Sequence, residues 1–184
     1  MIYALLVSFV AILTVALSRG DWSKLVALRL RAVPLLVVGV ALQGLIDVVD
    51  LPKSQFDSVG YATLMLSYAL LIAFCGVNLR IRGVSVILLG VALNALVIGL
   101  NHGMPTKAVG LDALGRRIER PIERTVKHRP AGPHDRLGFL GDVVEPPAPV
   151  DTLLSVGDLV VAAGVCVTAY AASRRTPRDS ASQA

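Results

Sequence analysis

Five long apolar runs divide the chain: Ile2–Leu17, Ala32–Val49, Val59–Leu79, Val84–Leu100 and Val156–Ala172. Each approaches the ~20 residues that a helix rising ~1.5 Å per residue needs to cross a hydrocarbon layer of ~30 Å. The pattern predicts an all-α polytopic membrane protein. It has five transmembrane helices, at about residues 2–17, 32–49, 59–79, 84–100 and 156–172, and one long extracytoplasmic loop, 101–155, between helices four and five. Residues 1–175 form a single membrane domain, and 176–184 are expected to be a disordered cytoplasmic tail.

The connections carry local signals of their own. Pro34 falls in the first turns of the second helix, where a missing N–H does little harm. Arg80-Ile81-Arg82-Gly83 is short enough to make helices three and four an antiparallel hairpin. Ser155-Val156-Gly157-Asp158 has the spacing of a capping box at the start of the last helix. Leu25–Arg31 reads as an interfacial turn with Arg29 and Arg31 reaching toward headgroups. Small residues recur at intervals of four at Gly164, Thr168 and Ala172, and again at Ala69 and Ala73, a spacing that lets helix backbones approach in lipid.

Charge then orients the runs. Arg19, Lys24, Arg29 and Arg31 fill the first connection, Lys53 stands alone in the second, Arg80 and Arg82 form the third, and Arg174, Arg175 and Arg178 follow the last run. Alternate segments are rich in positive charge, which places the N-terminus outside and the C-terminus in the cytoplasm of a multi-pass plasma-membrane protein. No Lys or Arg precedes the first run, so it reads as a retained helix rather than a cleaved signal. The chain has 184 residues, 54% hydrophobic and 17% charged, with a net charge of +5. Soluble domains carry ~25% charged residues. Because the basic residues flank apolar runs, the positive balance argues for membrane insertion and against nucleic acid. The two cysteines, Cys75 and Cys166, lie in apolar runs without a paired spacing, so neither a disulfide framework nor a metal centre is expected.

Polar residues inside the runs mark candidate chemistry. Gln43 and Asp47 are four apart and share a face. Asn94 and Asn101 are two turns apart on the fourth helix, His102 follows at its exit, and Asp158 opens the fifth. With the orientation above, all gather toward the outer leaflet, where ionisable groups in a membrane suggest function. The long loop adds Asp142 in Leu140-Gly141-Asp142. Its apolar residues Leu137, Phe139 and Leu140 are expected to tuck it back onto the helices. Gly115–Arg129, with Ile118, Ile122 and Val126 at spacings of four, reads as a short surface helix or a solvated irregular loop. The candidate polar pocket is therefore Gln43, Asp47, Asn94, Asn101, His102, Asp142 and Asp158. No catalytic residue is assigned, no metal or cofactor motif occurs, and His102, His128 and His134 match no metal spacing and read as solvated.

Asn101-His102-Gly103-Met104-Pro105, then Leu140-Gly141-Asp142, then Ser155-Val156-Gly157-Asp158 resembles an uncharacterised bacterial family of small polytopic membrane proteins. The resemblance covers most of the chain and implies a shared fold and motif set, without a transferable activity. The family pattern has a glycine where this chain has His102.

Three functions fit. The favoured reading is a binding or accessory protein, with the loop folded over an outer-leaflet polar pocket. Its partners are the bilayer and other membrane proteins or a second copy. A membrane enzyme acting on a lipid-linked substrate would use His102 with Asp142 or Asp158 as an acid–base pair. A small oligomeric transporter is the third.

Overall fold

The computed structural model describes residues 2–49, 51–111, 117–119, 121–145 and 153–174. The apolar runs are helices: α1 (Ile2–Leu17), α3 (Val33–Val48), α4 (Tyr61–Val77), α5 (Val84–Asn101) and α6 (Val156–Ser173). A five-residue helix, α2 (Trp22–Val26), follows α1 and is capped by Asp21. A 3-10 turn at Lys53–Gln55 and a π turn at Phe56–Gly60 run straight into α4, giving one helical stretch over Lys53–Val77.

Three stretches are long and apolar enough to cross a membrane: Lys53–Val77, Val84–Asn101 and Val156–Ser173. The other two apolar helices, α1 and α3, have 16 residues each, or about 24 Å. The run at 32–49 loses residues at both ends for local reasons. Ala32 adopts a left-handed conformation (φ 52°) ahead of Pro34, and Val49 is already extended. The helices form a chain of neighbours in which α3 lies on α4, α4 on α5, α5 on α6 and α6 on α1.

The α5–α6 pair is the closest contact. Gly83 makes the turn into α5 with φ +93°, a value that favours glycine. From there the two helices run antiparallel with backbone almost against backbone. A β-carbon on Gly90 would lie 2.6 Å from the Gly157 carbonyl oxygen and 2.7 Å from Val161 N, and one on Gly164 would lie 2.6 Å from Ile87 N. This register pairs Gly157, near the start of α6, with Gly90 and Asn94 rather than with the end of α5. Asn94 is seven residues short of Asn101, so α5 overshoots the start of α6 by about 10 Å.

The chain between them fills that step, and here the all-α expectation fails. The described residues between 102 and 155 form a cap containing short strands: β1 (Met104–Thr106), β2 (Val109–Leu111), β3 (Arg117–Glu119), β4 (His128–Pro130), β5 (Asp142–Val144) and β6 (Leu154–Ser155). A mixed four-stranded sheet has the order β4-β1-β5-β6, with β1 parallel to both β4 and β5 and β5 antiparallel to β6; β2 and β3 make a separate hairpin. The described part of 115–129 is strand and extended chain, so the expected surface helix does not form. Its Ile118–Ile122–Val126 stripe is cut by Pro121, and pairing of β4 with β1 satisfies the backbone instead. Strands of two or three residues are too short to show an alternating pattern, which is why they left no trace in the hydrophobic periodicity. The tail expected over 176–184 lies outside the described residues.

The main core sits at the junction of cap and bundle. Val97 and Ile98 on the overshooting end of α5 are buried against Leu64 of α4 and against Met104 and Val126 of the cap, with Leu137 and Leu140 packed around them. The expected inward tuck of Leu137 and Leu140 is therefore present, whereas Phe139 is 68% exposed. At the opposite end a different device closes the bundle. Asn78, just past α4, accepts from Arg31 N (2.8 Å) and donates to Arg31 O (2.8 Å), pairing with that backbone as a strand would.

The α5–α6 contact predicts an asymmetric glycine response. Gly157→Ala forces the new methyl into Asn94 and the α5 backbone, and is expected to cost about 1–3 kcal/mol and lower the melting temperature of the detergent-solubilised protein by about 5 °C. Gly76→Ala, with nothing within 4 Å of its β-carbon, should be neutral or slightly stabilising. Thermal unfolding followed by circular dichroism compares the two.

Candidate functional site

The step between α5 and α6 holds a polar cluster built from four parts of the chain. At its base, the Asn94 side chain donates to Asp158 Oδ1 (2.9 Å) and accepts from the Ser155 hydroxyl (2.9 Å). Ser155 Oγ in turn accepts from Asp158 N (2.9 Å), and Asp158 Oδ2 accepts from Ser155 N (3.0 Å). The expected capping box is thus present, and Asn94 joins it from the neighbouring helix. A helix start buried among apolar side chains leaves N–H groups that water cannot reach, and this arrangement supplies partners for them. The Asp158 charge also lies at the positive end of α6.

The second tier lies directly above. In the β5–β6 pairing Asp142 stands opposite Ser155. Its side chain is only 5% exposed, and Oδ2 accepts from the Thr106 hydroxyl (3.0 Å) and lies 2.8 Å from His128 Nδ1. With a proton on Nδ1 the imidazole donates this bond to the carboxylate, and Nε2 is its other ring nitrogen. The parallel pairing of β1 with β4 and β5 brings these three residues together, Thr106 facing Asp142 in one ladder and Met104 facing His128 in the other.

Tyr68 lies on α4. It is seven residues beyond Tyr61, and Asn94 is seven residues short of Asn101. Tyr61 and the end of α5 share one end of the bundle, because the Tyr61 hydroxyl donates to Gly99 O (3.2 Å) and its ring stacks on His102 at 4.7 Å. Tyr68 and Asn94 therefore lie at the same depth, about 10 Å below that end, where Tyr68 packs partly buried against the junction core. The cluster itself comprises the Asp142 and Asp158 carboxylates, the Thr106 and Ser155 hydroxyls, the Asn94 amide and the His128 imidazole.

Of the seven residues singled out in the sequence, the structure brings Asn94, Asp142 and Asp158 together. Asn101 and His102 sit at the hinge of the cap. Asn101 donates to Val97 O and Arg136 O and accepts from Arg136 N, its carbonyl accepts from Arg129 Nε, and His102 takes a left-handed conformation (φ 52°) under Tyr61. Gln43 and Asp47 are elsewhere, on α3. Gln43 donates to the buried Ser67 hydroxyl of α4 (3.2 Å), and Asp47 pairs with Lys127 (2.7 Å). The histidine beside Asp142 is His128 rather than His102. Tyr68, Thr106, His128 and Ser155 were not among the seven. Ser155 had its capping signal, but the others had none, since only the parallel pairing and the helix register place them.

Asp47 is one of three ion pairs that fasten the cap to the α3–α4 connection. Lys127 meets Asp47, Arg124 meets Asp57 and Lys53 meets Glu123 (3.6 Å). Between them Val126 is buried against Gly60, where a β-carbon would lie 2.7 Å from its Cγ2. Among the described residues no group of three or more His, Cys, Asp or Glu is arranged to hold a metal.

A mostly helical bundle with three helices long and apolar enough to cross a membrane, closed at one end by a small mixed sheet over a polar cluster, defines the class of protein. The model of a family of unknown function, DUF5317, matches residues 27–170, and the chain belongs to that family. No curated protein and no solved structure matches it.

The two polar pairs on the helices are expected to respond differently to removal. Asn94→Leu strips partners from both Ser155 and Asp158, a loss of about 2–3 kcal/mol. Gln43→Leu leaves the Ser67 hydroxyl its bond to Leu64 O (2.7 Å) and is expected to shift stability by less than about 1 kcal/mol. Equal melting temperatures for the two variants would contradict the network described.

Proposed function

We propose that the chain is a multi-pass bacterial plasma-membrane protein whose cap covers a ligand site on the outer side. In this reading all five apolar helices cross, with α1 and α3 short enough to draw the bilayer inward locally. The N-terminus and the cap are extracytoplasmic and the C-terminus is cytoplasmic. The distribution of Lys and Arg among the connections supports this orientation. A strand pair lying below the end of α5 agrees with it too, since non-helical backbone at membrane depth is tolerated where protein encloses it.

The function is binding, in an accessory role. The observation that carries it is the hydrogen-bonded cluster of Asn94, Thr106, His128, Asp142, Ser155 and Asp158, beneath a cap held by ion pairs and a buried valine. Asp142 is buried, and its described partners are the Thr106 hydroxyl and the His128 imidazole. The ligand class proposed for it is cationic, either a small cation or the ammonium of a lipid headgroup. Gln43 and Asp47 contribute by holding α3 and the cap in place.

A second reading rests on the His128–Asp142 contact. A carboxylate that orients an imidazole and leaves Nε2 open is the arrangement of a general base. On this reading the protein is an enzyme acting on a lipid-linked substrate, with His128 in the role first considered for His102.

Mass spectrometry of the protein purified in mild detergent separates the two. A bound cationic species that is retained by His128→Gln but lost by Asp142→Asn and Asp158→Asn, with normal insertion of all three, is the expected result for a binding site. Retention by both aspartate variants would reject the site. Reporter fusions test the orientation: a periplasm-dependent reporter inserted at Lys107–Ala108 is expected to be active, and one fused after Arg174 inactive.

A further inference from the structure

The end of the bundle opposite the cap carries a cationic surface that the ligand site does not use. Lys24 lies on α2, Arg29 and Arg31 on the extended link into α3, Arg82 in the α4–α5 turn and Arg174 at the end of α6; each of these residues is exposed. Three contacts gather these segments. Asn78 pairs with the backbone of Arg31, Asp21 N donates to Ser173 O (3.0 Å), and Arg174 donates to Ser18 O while its guanidinium covers the Tyr170 ring at 5.2 Å.

Among the described residues the one carboxylate on these segments is Asp21. It is occupied as the N-cap of α2, accepting from Ser23 Oγ (2.6 Å) and Ser23 N (2.9 Å). The Ser23 hydroxyl, and after it the Ser23 amide, hold its carboxyl below the usual range. Among the described residues, Lys24, Arg29, Arg31 and Arg82 thus outnumber the acids on these segments. Beside them α2 exposes Trp22 (44%) and Val26 (86%), while Leu25 packs against the α1–α6 core. An exposed indole and an aliphatic side chain next to a ring of Lys and Arg is the composition of a surface that sits at a headgroup layer.

We propose that this end binds anionic phospholipid selectively, with Trp22 at the acyl boundary and Lys24, Arg29, Arg31 and Arg82 on the phosphate groups. The Asn78 clamp gives the surface its shape, because it fixes the Arg31 backbone and holds the link against the α4–α5 turn. The proposal rests on the membrane reading above but not on the capped site.

Trp22 is the chain's one tryptophan, so its fluorescence reports this surface alone. The full-length protein is reconstituted in nanodiscs of phosphatidylcholine containing a fixed fraction of either chain-brominated phosphatidylglycerol or chain-brominated phosphatidylcholine. Selective binding predicts quenching by the brominated anionic lipid at least about tenfold beyond its share of the bilayer, since each basic residue near the surface contributes several-fold. Arg82→Gln and Lys24→Gln should each reduce that excess several-fold while leaving quenching by the neutral lipid unchanged. Asn78→Leu should reduce it with every cation still present. Equal quenching of the wild-type protein by the two lipids would overturn the proposal and leave the membrane reading standing. Quenching by neither would overturn both.

Discussion

An α-helix that starts inside an apolar bundle must find partners for its first N–H groups without water, and the rest of this architecture follows from that requirement at α6. The glycine contacts of Gly90 with Gly157 and of Gly164 with Ile87 set α6 about 10 Å back from the end of α5. The chain must therefore descend into the bundle before it can turn helical. Ser155 and Asp158 satisfy the helix start from within the chain, and Asn94 satisfies them from outside it. Each glycine is small because a backbone lies against it, and each polar group is present because that backbone is close.

The polar cluster is a consequence of the same step. Strand β6 passes into α6 at Ser155, so the partner of β6 also lies low, which sets Asp142 beside the capping box. A buried carboxylate needs donors: Thr106 comes from β1, the strand that leaves α5, and His128 from β4, which pairs with β1 in parallel. Parallel pairing demands long connections, and the long segments between β1, β4 and β5 meet that demand. They also carry the Lys127, Arg124 and Glu123 side chains that bind the α3–α4 connection.

Much of this was legible in the sequence, for reasons that differ by element. Four helices followed from uninterrupted apolar runs, and α6 was marked further by its capping box. Helix α3 came out shorter because Ala32 and Val49, both apolar, adopt non-helical backbone that hydrophobicity does not encode. The sheet was hidden because β1 contains Pro105, β6 has two residues, and every pairing in the mixed sheet is non-local. Asn94 and Asp158 were identifiable as polar residues within or at the start of apolar runs, but their contact depends on the step of about 10 Å between α5 and α6, which the runs do not encode. Asp142 and His128 are 14 residues apart with Asp135 and three glycines between them, and no local pattern joins such a pair. His102 drew attention through its motif, yet its position is explained by the turn it makes: a left-handed residue ends α5, and its ring stacks on Tyr61.

The distribution of charge links the two ends of the molecule. Carboxylates concentrate at the capped end, where Asp47, Asp57, Glu123 and Asp135 each meet a cation and Asp142 and Asp158 are enclosed. At the opposite end cations accumulate with Asp21 as the one described acid. Surface ion pairs contribute little individually, so the cap's three pairs act chiefly to set register, and the buried Val126 supplies the apolar anchor. Where described cations outnumber described acids, anionic charge brought from outside would relieve their mutual repulsion. An apolar bundle with one end internally compensated and the other not has a built-in polarity along its axis. That polarity arises from the same alternation of connections that sends the long, acid-bearing segment to one side and the short basic turns to the other.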